Sequence, residues 1–211
     1  MAAKFGDVDS RVRRTRQSIR DALVALCSEH DFGALTVQDI LSRADVARST
    51  FYTHYHAKED VLVDVVDSLV DDRAAWISKH EAEHPEGFTG DPVRVIFEHA
   101  AQNAKVYQVI LYGAGDGRPL REFFERTSRE AEAVFRSRAK RLGHEQRVPV
   151  EVVARAWAGE LIGVLAWWLR GDTGYTAEQM ARMLSDLSIR GRRWASGDDR
   201  SGAGHTTGTT P

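Results

Sequence analysis

The chain has 211 residues, of which 42% are hydrophobic and 28% charged, and its formal net charge is −2. This composition excludes a globally disordered chain and a polycation that binds nucleic acid by charge alone. A single cysteine, Cys27, excludes an internal disulfide and a cysteine-based zinc site. The first ten residues lack the apolar run of a signal peptide, and the longest apolar run, residues 161–169, is too short to span a bilayer. We therefore expect a cytoplasmic protein with no membrane partner.

The spacing of hydrophobic residues is helical almost throughout, and no stretch alternates as a strand would. The pattern predicts helices over residues 11–30, 36–44, 47–54, 58–79, 91–103, 104–112, 119–142, 149–170 and 176–194. Residues 196–211 contain no large apolar side chain, which predicts a disordered tail. The expected fold is all-α, with a first part of short helices (residues 1–56) and a second part of longer ones (residues 57–195).

Residues 36–55, TVQDILSRADVARSTFYTHY, have the features of two short helices joined by a tight turn. Thr36 is a favourable N-cap, and Asp39 three residues later completes the pattern of a capping box. Two such helices at a steep angle form a helix-turn-helix, whose second helix enters the major groove of DNA. The predicted outward residues of that helix have the hydrogen-bonding groups that contact phosphates and base edges: Arg48, Ser49, Tyr52, Thr53 and His54.

Residues 36–62 resemble the DNA-binding domain of the TetR family of bacterial transcriptional repressors. The matching residues are Thr36, Ile40, Ala44, Val46, Thr50, Phe51, Tyr52, His54, Tyr55, Lys58, Glu59 and Leu62. Two positions depart from the family pattern. Asp45 stands where the family usually has Gly, and Ala47 stands where it usually has Ser or Thr. Asp45 tolerates the left-handed backbone of such a turn, whereas Ala47 lacks the usual capping side chain.

The resemblance implies a role for each matching residue. Arg48, Ser49 and Thr50 would lie at the groove, and Thr53 would be intermediate between groove and backbone. Tyr52, His54 and Lys58 would mainly hold phosphates, and Thr36 would place the N-terminus of its helix on the DNA backbone.

The segment before this motif is basic. Residues 11–20 contain five arginines, at positions 11, 13, 14, 16 and 20, and no acidic residue. A charge run is often only a solvated helix face, but its position beside a helix-turn-helix favours phosphate contact, with Arg13 and Arg14 as the candidates.

Residues 92–187 contain the segments VIFEHAAQNAKVYQVILYG (95–113), LREFF (120–124) and AWAGELIGVLAWWLRGDTGYTAEQMARMLSDL (156–187). These segments resemble a C-terminal domain type found in part of the TetR family, which includes regulators linked to dihydroxyacetone kinase. Aromatic residues in the second part of the chain could line an effector pocket or form simple core: Trp76, Phe97, Tyr107, Phe123, Phe124, Trp157 and Trp167. Family members dimerise through their last two helices. The resulting candidates for a homodimer interface are Gly159, Gly163, Met180, Leu184 and Leu187.

Residues 80–84, HEAEH, match the helix-borne zinc motif of metallopeptidases, with Glu81 as the base. Pro85 would close the helix at the second histidine, His84, and position 90, where the extended motif has a third histidine, is Gly90. We therefore predict no metal site and no enzymatic activity.

Together with the resemblance, the sequence predicts a dimeric, ligand-responsive regulator without a cofactor; the family is mostly repressors, which favours repression and leaves activation open. Its partners would be double-stranded DNA with a pseudo-palindromic operator, a second copy of the chain and an effector of unknown identity. Two alternatives stay open: a metalloenzyme at HEAEH, and a helical adaptor that binds DNA only weakly and without sequence preference.

Overall fold

A computed structural model describes residues 3–83, 91–143, 147–171 and 173–195. Within these ranges the chain is helical and has no strand, which confirms the predicted all-α class. The helices are α1 (Ala3–Glu29), α2 (Val37–Ala44), α3 (Arg48–His54), α4 (Lys58–Glu83), α5 (Asp91–Gln102), α6 (Ala104–Leu111), α7 (Arg118–Leu142), α8 (Val150–Trp168) and α9 (Ala177–Ala195).

The first three helices and the start of α4 share one apolar core. Helices α2 and α3 are too short to be stable alone and depend on this packing. Each element contributes fully buried side chains at helical spacing: Ile19, Leu23, Ile40, Phe51, Val61 and Leu62. The core therefore fixes α3 rigidly, with one face turned inward and the other left to solvent.

Helix α4 belongs to both parts of the chain. It packs against α1 near its start, and it also packs against α5 and α7. Helix α7 pairs with α8, α5 pairs with α9, and α6 contacts α1 as well as α7 and α8. The two parts of the chain thus meet along α4 and at the contact between α6 and α1.

Two details differ from the sequence prediction. Helix α1 begins at Ala3 rather than near residue 11, since the helical spacing of Phe5, Val8 and Val12 continues upstream. Helix α9 changes direction at Gly191, where φ is 79°, a left-handed value that glycine adopts without a Cβ clash. The predicted tail, residues 196–211, lies outside the described residues.

In the part of the chain that the structure describes, no helix combines the length and the apolar character needed to cross a membrane.

Candidate nucleic-acid interface

Thr36 starts α2 with a complete capping box, as the sequence predicts. The Asp39 N–H donates to Thr36 Oγ1 at 3.2 Å, and the Thr36 N–H donates to Asp39 Oδ2 at 2.8 Å. Two of the N–H groups that a helix start leaves unpaired are therefore satisfied locally. Hydrogen bonds from Thr36 lower the pKa of the Asp39 carboxyl, so the cap is ionised at neutral pH.

Asp45 forms the turn between α2 and α3 in a left-handed conformation, with φ 52° and ψ 50°. Its N–H closes the end of α2 on the Leu41 carbonyl, and the Val46 N–H donates to the same oxygen at 3.2 Å. Asp45 thus adopts the backbone for which the TetR pattern usually has glycine. Ala47 occupies the N-cap position of α3 and makes no side-chain cap, as expected for alanine.

Helix α3 is anchored by one side and exposed on the other. Phe51 is fully buried and contacts the rings of Tyr52 and Tyr55 at centroid distances of 5.4 Å and 5.5 Å. Tyr52 itself is 42% exposed, and the guanidinium of Arg48 lies 5.6 Å from its ring centroid. The pair presents a cation and a phenol side by side on the outer face of the helix.

The other predicted DNA contacts on α3 differ in their exposure. Ser49 and Thr53 are exposed, whereas Thr50 and His54 are partly buried. The Thr53 hydroxyl donates to the Ser49 carbonyl at 3.0 Å, so its oxygen lone pairs still face solvent. All six predicted α3 residues therefore keep part of their surface accessible on this short helix.

An open cleft of about 400 Å³ lies between α1 and the turn that precedes α3. Its lining consists of Arg11, Arg14, Thr15, Ser18, Ala44, Asp45 and Val46. Arg13 is exposed on α1 but does not line this cleft. Of the two predicted arginine contacts, Arg14 therefore lines the cleft, together with Arg11.

The arginines at positions 16 and 20 have a different partner, Asp64 of α4. Arg16 donates to it at 2.6 Å and 3.2 Å, and Arg20 at 3.1 Å. The Tyr55 hydroxyl also donates to this carboxylate, which is only 7% exposed. One buried carboxylate therefore ties α1 and the end of α3 to α4.

The protonation states of this network follow from its contacts. Burial alone raises the pKa of Asp64, but hydrogen bonds from Tyr55 and Arg16 and the charge of Arg20 outweigh it, so the pKa lies below its ordinary value. Burial, together with the hydrogen bond to Asp64, raises the pKa of Tyr55 to about 12. Sequence reasoning missed this network, although an aspartate inside the apolar run Val61–Val66 was a signal.

Lys58 lies at the first position of α4, where the TetR resemblance implies a phosphate contact. Its ammonium donates instead to the carbonyls of Phe32 and Leu35 at 2.7 Å each, and of Gly33 at 3.2 Å. It also lies 4.7 Å from the centroid of the Phe32 ring. All three N–H groups are thus used to hold the connection between α1 and α2, a structural contact that the sequence pattern did not reveal.

The candidate pocket aromatics divide into separate groups. Phe97, Tyr107 and Phe123 are buried in the interior between α5, α6 and α7. Phe124 and Trp157 are partly buried, and Phe124 lies under the guanidinium of Arg155. Trp167 is 50% exposed, which removes it from any interior pocket. The Trp76 side chain lies outside the described residues.

The candidate residues of the homodimer interface fall into a buried group and an exposed group. Met180 and Leu184 are buried in the core of the protomer, which removes them as surface contacts, because α9 turns its apolar side toward α5. Gly159 and Gly163 are exposed, and Leu187 is partly exposed. Helix α8 instead presents an apolar outer face of exposed small and large residues: Val152, Ala156, Gly159, Gly163 and Trp167.

The HEAEH segment is only partly within the described residues. His80 and Glu81 fall in the last turns of α4, with no description of their side chains, and His84 lies outside the described residues. Among the residues that the structure describes, no three His, Cys, Asp or Glu side chains group as metal ligands.

Comparisons with known proteins identify both parts of the chain. Residues 19–65 match the family described as bacterial regulatory proteins, tetR family. Residues 91–190 match a family described as transcriptional regulator C-terminal region. An uncharacterized HTH-type transcriptional regulator, YxbF from Bacillus subtilis (strain 168), is 37% identical over 60 residues, which are 28% of this chain and 16% of that protein. The chain thus matches only a small part of the length of this curated relative.

Solved structures share the fold over most of the chain. A TetR-family regulator from Syntrophomonas wolfei aligns with a TM-score of 0.71 and 22% identity, covering 83% of this chain and 93% of that one. FadR from Thermus thermophilus, a repressor solved with lauroyl-CoA, aligns with a TM-score of 0.67 and 18% identity, covering 93% and 100%. DhaS, a dihydroxyacetone kinase operon activator, aligns with a TM-score of 0.59 and 17% identity, covering 83% and 94%.

The capped α2, the left-handed turn and the exposed face of α3 define a helix-turn-helix transcriptional regulator. The chain belongs to the TetR family, as the match over residues 19–65, the C-terminal match and the shared fold together show.

Proposed function

We propose that this regulator is a ligand-responsive repressor that binds a pseudo-palindromic operator as a homodimer. The observation that carries the proposal is the outer face of α3, where Arg48, Ser49, Tyr52 and Thr53 are exposed on a helix that Phe51 anchors from below. Exposed hydrogen-bonding side chains on a rigid helix can contact base edges and phosphates. Residues 1–56 would read DNA, and residues 57–195 would dimerise and bind the effector.

The cleft beside the turn supports a second contact with the DNA backbone. Arg11 and Arg14 line it together with the hydroxyls of Thr15 and Ser18. Guanidinium and hydroxyl groups are common phosphate partners, and such contacts fix the register of a recognition helix without reading sequence. Arg13, exposed on the same helix, would add to the positive field.

The outer face of α8 supports homodimerisation. Val152, Gly159, Gly163 and Trp167 are exposed on one side of this helix, and a side chain at Gly163 would meet nothing within 4 Å in the protomer. Small residues allow a second helix to approach closely, and the exposed valine and tryptophan would be covered by it. A two-fold dimer would present two α3 helices to two half-sites.

The continuity of α4 supports a coupling between the two parts. An effector that binds the C-terminal part with different affinity in two conformations would shift the population of the DNA-binding one. FadR from Thermus thermophilus, which shares the fold, was solved with an acyl-CoA. We propose a small-molecule effector here too, and we expect the protein to act in the cytoplasm, with no cofactor and no enzymatic activity.

The test is a double substitution, Tyr52→Ala with His54→Ala, measured by fluorescence anisotropy on a candidate operator and by light scattering for the dimer. We expect operator binding to be lost while the dimer is retained. The matched control replaces two exposed polar residues of the C-terminal part, Gln102→Ala with Lys105→Ala, and should change neither property. Unchanged operator affinity in the Tyr52 and His54 variant would refute the proposed role of α3.

A further inference from the structure

Arg48 and Tyr52 form a pair on the exposed side of α3. They are four residues apart and therefore lie one helical turn from each other on the same face. The central carbon of the Arg48 guanidinium lies over the Tyr52 ring, 5.6 Å from the ring centroid. Helical side chains lean toward the start of their helix, so the ring of Tyr52 covers the turn from which Arg48 projects. Each side chain thus restricts the positions open to the other.

The core restrains this pair from below. Phe51 is fully buried, and its ring meets the Tyr52 ring edge-on, with centroids 5.4 Å apart and planes at 84°. Edge-to-face contacts of this kind are a favoured arrangement of two aromatic rings. The Tyr52 ring is therefore held between buried Phe51 and exposed Arg48. An arginine that is restrained in advance loses less conformational freedom when it binds a partner.

The guanidinium of Arg48 keeps its hydrogen-bond donors available. A contact between a cation and a ring face uses none of the N–H groups. Among the residues that the structure describes, no carboxylate forms an ion pair with Arg48. Arg43, another exposed arginine of this motif, differs because its guanidinium donates to both oxygens of Glu29, at 2.7 Å and 3.2 Å. Arg48 can therefore bind an external acceptor, whereas Arg43 is already engaged.

The chemistry of a guanidinium favours one base. In the major groove guanine presents two neighbouring acceptors, O6 and N7, which two N–H groups of one arginine bind together. Adenine presents one acceptor beside an amino donor, thymine one acceptor beside a methyl group, and cytosine an amino donor. Residues at the start of a recognition helix lie nearest to the base edges. Arg48 is the first residue of α3, so guanine is the partner that suits both its chemistry and its place.

We propose that Arg48 recognises one guanine in each half-site of the operator, and that Tyr52 is the positioning residue that holds the Arg48 guanidinium for this contact. The assignment rests on the proposed function and adds a specific base to it. It also differs from the TetR resemblance, which places Tyr52 mainly at a phosphate. In this account the Tyr52 ring is required for base preference and its hydroxyl is not.

The first experiment tests the contact in the unaltered protein. The full-length protein selects its preferred sequence from a pool of random duplexes, and anisotropy then measures affinity for the selected duplex at about 50 mM salt. Replacing one particular guanine of each half-site by adenine, with the pairing base changed to match, should weaken binding at least about fivefold. 7-Deazaguanine, which lacks N7, should also weaken binding, whereas inosine, which keeps O6 and N7, should not.

A substitution at Arg48 should change the preferred base. The amide of glutamine suits N6 and N7 of adenine, so Arg48→Gln should move the preference at this position from guanine to adenine. The matched control is Arg43→Gln, which removes an exposed arginine that Glu29 already engages. The control should keep the wild-type preference for guanine.

Two substitutions of Tyr52 separate positioning from phosphate binding. The measured quantity is the ratio of the affinities for the guanine and adenine duplexes. Tyr52→Phe keeps the ring and should keep this ratio, whereas Tyr52→Ala removes the ring and should lower the ratio about two- to fivefold. A tyrosine that only holds phosphate would weaken binding to both duplexes equally, so the ratio would stay unchanged in both variants.

The inference is overturned if Arg48→Gln keeps the wild-type preference at every position, or if 7-deazaguanine is tolerated at every selected guanine. An unchanged ratio in Tyr52→Ala would overturn the positioning role. The base analogues need no substitution in the protein, so they decide even where a variant does not fold. A selected sequence without such a guanine would refute this inference and leave the proposed function standing, whereas selection of no sequence at all would refute the proposed function itself.

Discussion

Arg118 Nη1 lies 2.7 Å from Asp60 Oδ1, and this ion pair holds the first residue of α7 against the first turn of α4. The other oxygen of Asp60 accepts the backbone N–H groups of His56 and Ala57 at 2.7 Å and 3.0 Å. Burial alone would raise the pKa of Asp60, but the bonds from Arg118 and these two N–H groups lower it. The Asp60 carboxylate therefore caps the start of α4 and, through Arg118, also links the segment between α3 and α4 to α7.

Replacing Asp60 by alanine should impair both DNA binding and stability. The loss of two backbone partners at a helix start should lower the free energy of unfolding by about 1 kcal/mol, measured by urea denaturation. Operator affinity should fall as well, because the connection that positions α3 is no longer fixed.

Arg118→Gln separates the two roles of Asp60. It removes the ion pair but leaves the cap, and since Arg118 is substantially exposed it should cost less than about 1 kcal/mol. Operator affinity should be close to that of the wild type. Equal losses of operator affinity in both variants would contradict the separation.

Asp64→Asn should lower the free energy of unfolding more than Tyr55→Phe does. It leaves Arg16 and Arg20 facing a neutral amide in a site where Asp64 is almost fully buried, and removing one partner of such a pair costs about 3 kcal/mol. Tyr55→Phe removes one hydrogen bond and should cost about 1 kcal/mol. Urea denaturation monitored by circular dichroism measures both, and a loss at Asp64 no larger than that at Tyr55 would contradict the importance of the charge.

The same network predicts a dependence of stability on pH. The pKa of Asp64 is lower in the folded protein, so its contribution is present above the unfolded value of about 4 and is lost as pH falls further. The pKa of Tyr55 is raised to about 12, so its contribution is present below about pH 10 and is lost as pH rises toward 12. Asp64→Asn should flatten the acid limb and Tyr55→Phe the alkaline limb of a thermal-denaturation profile.

Substitution of Lys58 should lower stability, whereas substitution of Arg14 should change the salt dependence of operator binding. Lys58→Met removes three hydrogen bonds to carbonyls and should lower the free energy of unfolding by about 2 kcal/mol, without changing the salt dependence of operator binding. Arg14→Gln should leave stability unchanged and reduce the slope of log affinity against log salt by about 1. A reduced slope in Lys58→Met would show that the ammonium contacts phosphate after all.

Gly163→Asp should dissociate the dimer without unfolding the protomer. The protomer has room for a side chain at this position, so an interface there would receive two buried carboxylates across the two-fold axis. The matched control, Ala133→Asp, places the same charge on an exposed position of α7. Analytical ultracentrifugation should show a monomer only for Gly163→Asp, and a dimer in both variants would locate the interface elsewhere.

Local sequence signals predicted the DNA-binding part well. Thr36 and Asp39 are three residues apart and interact within one turn, so their capping box needs no knowledge of the rest of the fold. The left-handed turn at Asp45 could be expected because the TetR pattern usually has glycine there and Asp tolerates that backbone. The helix periods also gave the all-α class correctly.

Contacts between distant segments could not be predicted in the same way. Lys58 meets carbonyls more than twenty residues earlier, and Arg73 meets Glu130 across two different helices. The resemblance made Met180 and Leu184 candidates for the dimer interface, but the sequence did not show that α9 packs them against α5 of the same chain. The aromatic content of α8 likewise did not show that Trp167 lies on the exposed side of this helix.

The most direct measurement is fluorescence anisotropy of the purified full-length protein with two labelled duplexes at about 150 mM salt, since affinity for DNA depends on salt. One duplex is the intergenic DNA beside its own coding sequence, and the other has the same composition in shuffled order. A sequence-specific repressor should bind the first tightly and the second at least about 1,000-fold more weakly. Equally weak binding to both duplexes would contradict the proposal that α3 recognises the base sequence of this operator.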